Sequence, residues 1–261
     1  MDELVMMNRI DQTFKEKKDI LNVYFTAGYP NLDDTIRMAS VLEKAGADML
    51  EIGMPFSDPV ADGPTIQDSS QKALENGMTI VKLFEQLVTL RDHVSIPVLL
   101  MGYVNPIIQF GMDRFCDKCA EVGVDGVIIP DLPMQEYLEF YRETFKEKGI
   151  HNIFLISPNT SEERIRLIDK ESNGFIYVVS SSSITGAKKG IQKGQLEYYQ
   201  RIQSMNLKNP QLIGFGISNK ETFDTVCIYS NGAIIGSAFI RQLNEDASEE
   251  AVVEFVKEIK G

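Results

Sequence analysis

Carboxylates are the side chains of this sequence that are best placed to do chemistry, because other common catalytic types are scarce. The 261 residues include two histidines and three cysteines but 38 aspartates and glutamates. Glu51 stands among apolar residues, and Asp62 follows in a loop-like segment that is rich in proline and glycine. Burial raises the pKa of a carboxyl group, which suits a group that exchanges a proton near neutral pH. We therefore interpret Glu51 and Asp62 as candidate catalytic carboxylates.

Both carboxylates also have a purely structural interpretation. Glu51 could belong to an inward-facing hydrogen-bond network, and Asp62 could be a solvated loop aspartate. Asp58 precedes a proline, which favours a role in a turn for that residue. A lone carboxylate at the end of a buried strand is costly, and this favours a chemical role for Glu51.

Eight short apolar segments predict the strands that must position these carboxylates. Most are continuous apolar runs, which is typical of strands buried on both faces of a parallel sheet. They start about 30 residues apart on average, which is the size of one strand–helix unit. The predicted strands span residues 21–25, 48–52, 97–101, 126–129, 153–156, 175–179, 212–215 and 233–235.

Amphipathic segments with helical spacing lie between these strands. Eight strand–helix units without a linker predict a single domain, residues 1–261, with the α/β fold of a (β/α)8 TIM barrel. An open doubly wound sheet is the alternative, and the absence of GxGxxG after the first strand disfavours it. The predicted helices span residues 33–44, 134–148, 161–170, 195–205, 220–229 and 247–260, with an extra N-terminal helix at about 2–17.

In such a barrel the chemistry lies at the carboxyl ends of the strands. Side chains alternate along a strand, so Leu50 and Ile52 should face the outer helices while Glu51 faces the barrel interior. His93 and His151 each precede a predicted strand. We expect both histidines at the opposite end of the barrel, in structural roles.

Lysine and cysteine offer weaker candidates. None of the predicted strands contains a lysine, which disfavours a Schiff-base aldolase. Cys116 and Cys119 form a CxxC in a helix-like segment, where two reduced cysteines on one face are favoured over a redox or metal role. The spacing of the histidines and cysteines predicts no metal site.

Small residues after the last three strands indicate a phosphate site. Residues 214–218 and 236–238 follow the seventh and eighth strands, each at the beginning of a helix. Glycine lets backbone amides approach an anion closely, and this pair of loops binds phosphate in many barrels. Residues 180–194 contain three glycines and are interpreted as a mobile lid.

Composition excludes several classes of function. The net charge of −12 disfavours a surface for nucleic acid or anionic membranes. The first residues lack the apolar region of a signal peptide. Residues 94–112 carry no charge, but their prolines and glycines favour a strand and a loop over a membrane helix. We expect a cytoplasmic protein.

Several segments together resemble the tryptophan synthase alpha subunit family. They occur in the family's order over nearly the whole chain, and residues 51–64 (EIGMPFSDPVADGP) are the most specific. The resemblance implies a (β/α)8 barrel that cleaves indole-3-glycerol phosphate to indole and glyceraldehyde 3-phosphate without a cofactor of its own. The other matching segments are 26–30 (TAGYP), 184–186 (ITG), 214–218 (GFGIS) and 236–238 (GSA).

The resemblance also implies roles for individual residues. Glu51 matches the general acid and base, Asp62 the acceptor of a hydrogen bond from the indole N–H, and Tyr177 an assisting tyrosine. Core packing remains the alternative for Tyr177 and for the pocket positions. Phosphate-binding positions match Gly186, Gly216, Gly236 and Ser237, and indole-pocket positions match Tyr24, Met101, Ile128, Thr185 and Phe215.

Family members pair with a beta subunit that uses pyridoxal phosphate to join indole to serine. The resemblance therefore implies an alpha-beta-beta-alpha heterotetramer, with contacts through residues 56–60, residues 105–111 and the loop near Asp131. Ser183 stands where the family commonly has glycine, and residues 102–106 lack its usual two adjacent aromatics. A stand-alone lyase that releases free indole, a non-enzymatic subunit and another phosphate-binding barrel isomerase are the alternatives.

Overall fold

In residues 7–180 and 191–261, which the computed structural model describes, eight parallel strands form a closed barrel. Each strand pairs with its neighbours in sequence, and the last pairs with the first. The predicted (β/α)8 class is confirmed, and each strand overlaps a predicted one. The strands are β1 (Ile20–Thr26), β2 (Met49–Gly53), β3 (Val98–Met101), β4 (Gly126–Ile128), β5 (His151–Ile156), β6 (Ile176–Val179), β7 (Gln211–Gly214) and β8 (Gly232–Ile235).

Helices surround the barrel. Within the two described ranges, none of them is both long enough and apolar enough to cross a membrane. They are α1 (Arg9–Glu16), α2 (Asp34–Ala45), α3 (Pro64–Glu75), α4 (Ile80–Leu87), α5 (Leu90–His93), α6 (Val104–Phe110), α7 (Met112–Val122), α8 (Met134–Glu136), α9 (Arg142–Glu147), α10 (Glu162–Glu171), α11 (Lys193–Ser204), α12 (Lys220–Cys227), α13 (Ser237–Glu245) and α14 (Glu249–Lys260).

Local sequence signals set several helix ends. Ser161 caps α10, because its side-chain oxygen accepts a hydrogen bond from the Arg164 backbone N–H at 3.2 Å. Ser248 caps α14 in the same way. Gly46 ends α2 with a φ of 110°, a left-handed conformation that glycine adopts without a steric cost. These signals explain why the chain turns back toward the barrel at regular intervals.

The buried apolar side chains form two clusters, one inside the barrel and one between the strands and the helices. Alternation along β2 separates them, since Met49 belongs to the interior cluster while Leu50 and Ile52 belong to the outer one. The interior is therefore a packed core rather than a channel. Its buried members are Ile10, Ile20, Met49, Leu99, Ile128, Ile153, Phe175, Tyr177, Leu212 and Ile234.

The first helix closes the amino-terminal end of the barrel. Ile10 of α1 is fully buried in the interior cluster, and Phe14 packs against the same cluster. The Phe14 ring lies 5.8 Å from the ring of Phe175, just before β6. Asn8 Nδ2 donates a hydrogen bond to the Asp125 carbonyl oxygen before β4. The predicted N-terminal helix is present, although its first predicted residues lie outside the described part of the chain.

Two aspartates connect neighbouring strands at this same end. Asp48, just before β2, accepts a hydrogen bond from the Leu21 backbone N–H of β1 at 2.9 Å. Lys17 and Lys260 form ion pairs with the Asp48 carboxylate. Asp125 repeats the arrangement between β3 and β4, so a recurring Gly-x-Asp sequence has one structural purpose at both positions.

Asp125→Asn is expected to lower the free energy of unfolding by about 2–3 kcal/mol. The buried Asp125 carboxylate accepts a hydrogen bond from the Val98 backbone N–H at 2.8 Å and pairs with Arg9 and Arg91. The substitution removes the negative charge that both guanidinium groups face. Urea unfolding followed by circular dichroism measures the change.

Asp117→Asn is the matched control, because Asp117 pairs with Lys148 on the surface. An exposed ion pair contributes less than about 1 kcal/mol, so this variant should unfold close to the parent protein. Equal effects of the two substitutions would contradict a special role for Asp125.

Part of residues 94–112 folds differently from the prediction of a strand and a loop, because α6 follows β3. Asp131 Oδ1 accepts a hydrogen bond from the Val104 backbone N–H at 2.9 Å, at the first residue of this helix. Pro106 lies in the first turn, where a helix does not need its missing N–H. The prediction was wrong because the hydrogen bond at the start of this helix comes from Asp131, in a loop that is distant in the sequence.

The prediction of helices was also incomplete elsewhere. The helices α3, α4 and α5 between β2 and β3 were not predicted, although Pro64 and the capping residue Thr79 are recognised start signals. The predicted helix 134–148 is interrupted by a π-helical turn at Tyr137–Tyr141. Neither difference changes the order of the barrel strands.

Candidate active site

Glu51 lies in the barrel interior, and one of its two carboxyl oxygens accepts a hydrogen bond. Its side chain on β2 is fully buried, and Asn22 Nδ2 on β1 donates a hydrogen bond to Glu51 Oε1 at 2.6 Å. Oε2 has no hydrogen-bond partner in residues 7–180 and 191–261. Burial raises the pKa of Glu51 to about 8, while the Asn22 hydrogen bond acts in the opposite direction. Glu51 is therefore a neutral acid near pH 7 that can donate a proton.

Two tyrosines share the interior with Glu51. Tyr24 is the register partner of Glu51 on the neighbouring strand β1, and Tyr177 of β6 belongs to the interior cluster. Burial raises the pKa of both phenols far above the usual range, and the charges of Glu51 and Asp62 act in the same direction. Both phenols therefore stay protonated and can donate a hydrogen bond to a substrate oxygen.

Asp62 is held in the loop after β2 by a tyrosine from the loop after β3. The Tyr103 hydroxyl donates a hydrogen bond to Asp62 Oδ2 at 2.8 Å and accepts one from the Ala61 backbone N–H at 3.0 Å. Burial raises the pKa of Asp62, and the Tyr103 hydrogen bond partly opposes this effect. The ring of Phe56 lies 5.3 Å from that of Tyr103, so the loops after β2 and β3 also contact each other through these two rings.

Tyr24, Asp62 and Tyr103 line a cavity at the carboxyl ends of β1 to β4, and Tyr24 is the register partner of the buried Glu51. Its wall combines apolar side chains with the polar groups of Tyr24, Asp62 and Tyr103. Two predicted pocket residues, Tyr24 and Met101, belong to this wall, whereas Ile128 is fully buried in the interior cluster. The lining residues are Tyr24, Met54, Phe56, Asp62, Ser70, Met101, Gly102, Tyr103 and Pro130.

The loops after β7 and β8 have the backbone features of an anion site. Phe215 and Gly216 have φ angles of 70° and 83°, and glycine adopts this left-handed conformation without strain. The Ser180 hydroxyl donates a hydrogen bond to the Phe215 carbonyl oxygen. Gly236 caps α13, whose first residue is Ser237. The first N–H groups of a helix lack intrahelical partners and attract anions.

Phe215 lies beside the interior tyrosine Tyr177, whereas the predicted lid lies mostly outside the described part of the chain. The Phe215 ring is 39% exposed and lies edge-on to Tyr177 with 6.2 Å between the ring centroids, so it borders the interior. Thr185, Gly186 and Ser183 fall in residues 181–190, outside the described part of the chain. The structure therefore gives no position for the predicted lid contact.

The histidines and cysteines lie away from the cavity. His151 is the first residue of β5, and its Nε2 lies 2.9 Å from Asp11 Oδ2 of α1. His93 ends α5, just before β3. Cys116 and Cys119 are both buried in α7, and burial raises the pKa of each thiol, that of Cys116 to about 12. In the two described ranges no cluster of His, Cys, Asp and Glu could hold a metal ion.

Comparison with known proteins identifies the family. A family model described as tryptophan synthase alpha chain matches residues 10–260. The chain belongs to the tryptophan synthase alpha chain family. The tryptophan synthase alpha chains of Flavobacterium psychrophilum and Flavobacterium johnsoniae are 59% and 57% identical to it. Each alignment covers 97% of this chain and 100% of the relative.

Solved structures of the tryptophan synthase alpha chain family have the same fold. The alpha subunit from Legionella pneumophila gives a TM-score of 0.87 at 33% identity, with 97% of both chains covered. The A-subunit from Pyrococcus furiosus gives 0.84 at 36% identity, with 94% of this chain and 99% of that chain covered. The family resemblance seen in the sequence is confirmed, and the chain acts in tryptophan biosynthesis as an alpha chain.

In this member of the tryptophan synthase alpha chain family, two polar residues that contact the carboxylates were not predicted. Asn22 lies in the apolar run of β1, where a lone amide among buried residues was the only signal. Tyr103 lies in the segment that departs from the family pattern, and its spacing from Asp62 does not reveal their contact. Both contacts join residues from different strand–helix units.

Proposed function

We propose that this chain cleaves indole-3-glycerol phosphate to indole and glyceraldehyde 3-phosphate by a retro-aldol reaction. The observation that carries the proposal is the pair of carboxyl groups at one end of the barrel. Glu51 is buried and neutral near pH 7, and its Oε2 has no hydrogen-bond partner among the described residues. Asp62 lines the cavity beside it, together with Tyr24, the register partner of Glu51. One group is suited to exchanging protons and the other to stabilising positive charge.

In the proposed reaction Glu51 acts first as an acid and then as a base. It donates its proton to C3 of the indole ring, and the positive charge that develops on the ring nitrogen is stabilised by Asp62, which accepts the N–H hydrogen bond. The Glu51 carboxylate then removes the proton of the 3′-hydroxyl. The bond between C3 and C3′ breaks as the aldehyde forms, its electron pair returns to the ring, and Glu51 is protonated again. Tyr177 assists through its phenol.

The substrate would span the cavity and the loops after β7 and β8. Amides near the amino terminus of α13 favour a phosphate there, because the helix dipole and free N–H groups both attract an anion. The residues proposed to bind phosphate are Gly216, Gly236 and Ser237 together with Gly186. The residues proposed to contact the indole ring and chain are Tyr24, Met101, Ile128 and Phe215 together with Thr185.

We also propose that the chain works without a cofactor of its own, beside a beta subunit that holds pyridoxal phosphate, in an alpha-beta-beta-alpha heterotetramer. Exposed apolar side chains support a partner at the mouth of the barrel. Val60 is 76% exposed in the loop that carries Asp62, and Ile108 is 49% exposed in α6. The free, buried Cys116 and Cys119 suit the cytoplasmic location that we propose.

Release of indole from indole-3-glycerol phosphate tests this function. The purified chain should release indole slowly alone and faster after addition of the beta subunit, with tryptophan formed when serine is present. Fast turnover that the beta subunit does not change would favour a stand-alone lyase. No indole release under either condition would contradict the proposed reaction.

A further inference from the structure

Asn22 stands out as a polar side chain that no role of the known site requires. It lies on β1, is fully buried, and donates its amide N–H to Glu51 Oε1 at 2.6 Å. We propose that Asn22 is a positioning residue, which fixes the Glu51 carboxyl group and leaves Oε2 as the oxygen that exchanges protons with the substrate. This inference rests on the proposed function, because it assumes that Glu51 is the acid and base.

The contact decides which oxygen of Glu51 carries the proton. An amide N–H can only donate, and the carbonyl oxygen of a carboxylic acid is a better acceptor than its hydroxyl oxygen, so the contact assigns Oε1 as the carbonyl oxygen. The proton of the neutral acid therefore resides on Oε2, which has no partner in the described ranges of the chain. Oε1 stays fixed to β1 while Oε2 remains free to donate a proton and then to accept one.

The surroundings of Asn22 argue against a purely structural role. Its register partners are Met49 on β2 and Ile234 on β8, both members of the apolar interior cluster. The Asn22 Oδ1 atom is itself buried without a hydrogen-bond partner among the described residues. A buried amide with an unpaired oxygen is costly, and a leucine of the same shape would pack here without that cost. The amide is thus better explained by its contact with Glu51 than by stability.

The other polar groups around Glu51 cannot replace this contact. Among the described residues, the titratable groups that interact with Glu51 are Tyr24 from β1 and Tyr177 from β6, and the charge of Asp62 acts on the same two tyrosines. The remaining strands contribute apolar interior side chains: Leu99, Ile128, Ile153, Leu212 and Ile234. The Asn22 hydrogen bond is the contact that opposes the effect of burial on the pKa of Glu51. Without it, Glu51 would hold its proton to higher pH.

Asn22→Leu tests the proposal, because leucine keeps the branched shape and removes the donor. In the complex with the beta subunit, kcat for indole release should fall about 10-fold to 100-fold with KM nearly unchanged. The Glu51 carboxylate that forms during the reaction loses its hydrogen-bond donor, and a hydrogen bond to a charged group contributes this much. The alkaline limb of the pH–rate profile should move to higher pH by about one unit. A residue that only supports the fold would not shift the limb.

Asn152→Leu is the matched control. Asn152 is also a buried asparagine of a barrel strand, but its neighbour Ile153 belongs to the interior cluster, so Asn152 faces the outer helices. This variant should keep the parental pH profile. If Glu51→Gln retains activity, the proposed function fails. If Glu51→Gln is inactive but Asn22→Leu keeps the parental kcat and pH profile, the positioning role of Asn22 is overturned and the proposed function stands.

A second measurement needs no substitution at Asn22. The side-chain amide resonances of Asn22 in the 15N-labelled full chain should shift with a midpoint near pH 8, following the ionisation of Glu51. The shift should vanish in Glu51→Gln. Asn22 resonances that stay constant through this range in the parent protein would overturn the proposal, even if Asn22→Leu does not fold.

Discussion

Glu51→Gln is expected to lower kcat for indole release by about 10²-fold to 10⁴-fold, the usual contribution of general acid–base catalysis. Glutamine keeps the size of the side chain but cannot give a proton to C3 or take one from the 3′-hydroxyl. KM should change little, because substrate binding depends mainly on the cavity and the phosphate loops. Steady-state kinetics of the complex with the beta subunit measure both constants, and near-parental kcat would contradict the role of Glu51.

The same substitution should alter how stability depends on pH. The pKa of Glu51 is about 8 in the folded chain, against an ordinary value of 4.5. Between these values the folded chain holds a proton that the unfolded chain releases, so stability falls as pH rises from about 4.5 to about 8. Glu51→Gln removes this contribution and should be the more stable protein above pH 8. Parallel curves of unfolding free energy against pH would contradict the raised pKa.

Asp62→Asn should lower kcat by about 10²-fold to 10³-fold, a common effect of removing one electrostatic contact with a transition state. The amide oxygen can still accept a hydrogen bond from the indole N–H, but it lacks the negative charge that stabilises the cationic ring. Indole-release kinetics with the beta subunit present would show the loss. A variant with unchanged kcat would mean that Asp62 only shapes its loop.

Tyr103→Phe tests the same carboxylate with a smaller change. It removes the hydroxyl that donates to Asp62 Oδ2 and leaves the ring in contact with Phe56. We expect a loss of about 10-fold in kcat, because Asp62 loses one hydrogen bond and keeps its charge. Tyr229→Phe is a suitable control, since Tyr229 packs near Tyr199, far in the fold from Asp62.

The barrel was predictable from the sequence because its strands are buried on both faces. Each strand therefore appears as a continuous apolar run, and the glycine turns before Asp48 and Asp125 mark where two of them begin. The alternation of Leu50, Glu51 and Ile52 was enough to predict which side chain turns inward. Such patterns depend on neighbours within a few residues along the chain, and this is the range over which sequence periodicity predicts structure.

The hydrogen bonds to the two carboxyl groups were not predictable, because they join residues that are far apart in the sequence. Asn22 and Glu51 are 29 residues apart, and Asp62 and Tyr103 are 41 apart. Their meeting depends on barrel closure and loop packing, which no local pattern encodes. The helix α6 was missed in the same way, since the aspartate at its first turn belongs to another loop.

In the described part of the chain, α1 covers the amino-terminal end of the barrel, where Ile10 and Phe14 pack into the interior cluster. Substrate, product and the water that exchanges protons with Glu51 are therefore expected to use the mouth at the carboxyl ends of the strands. The exposed side chains of Val60, in the loop after β2, and Ile108, in α6, follow strands that end at that same mouth. A partner bound at this mouth would control both the entry of substrate and water and the exit of product. Indole that leaves the barrel would then pass along the partner's surface.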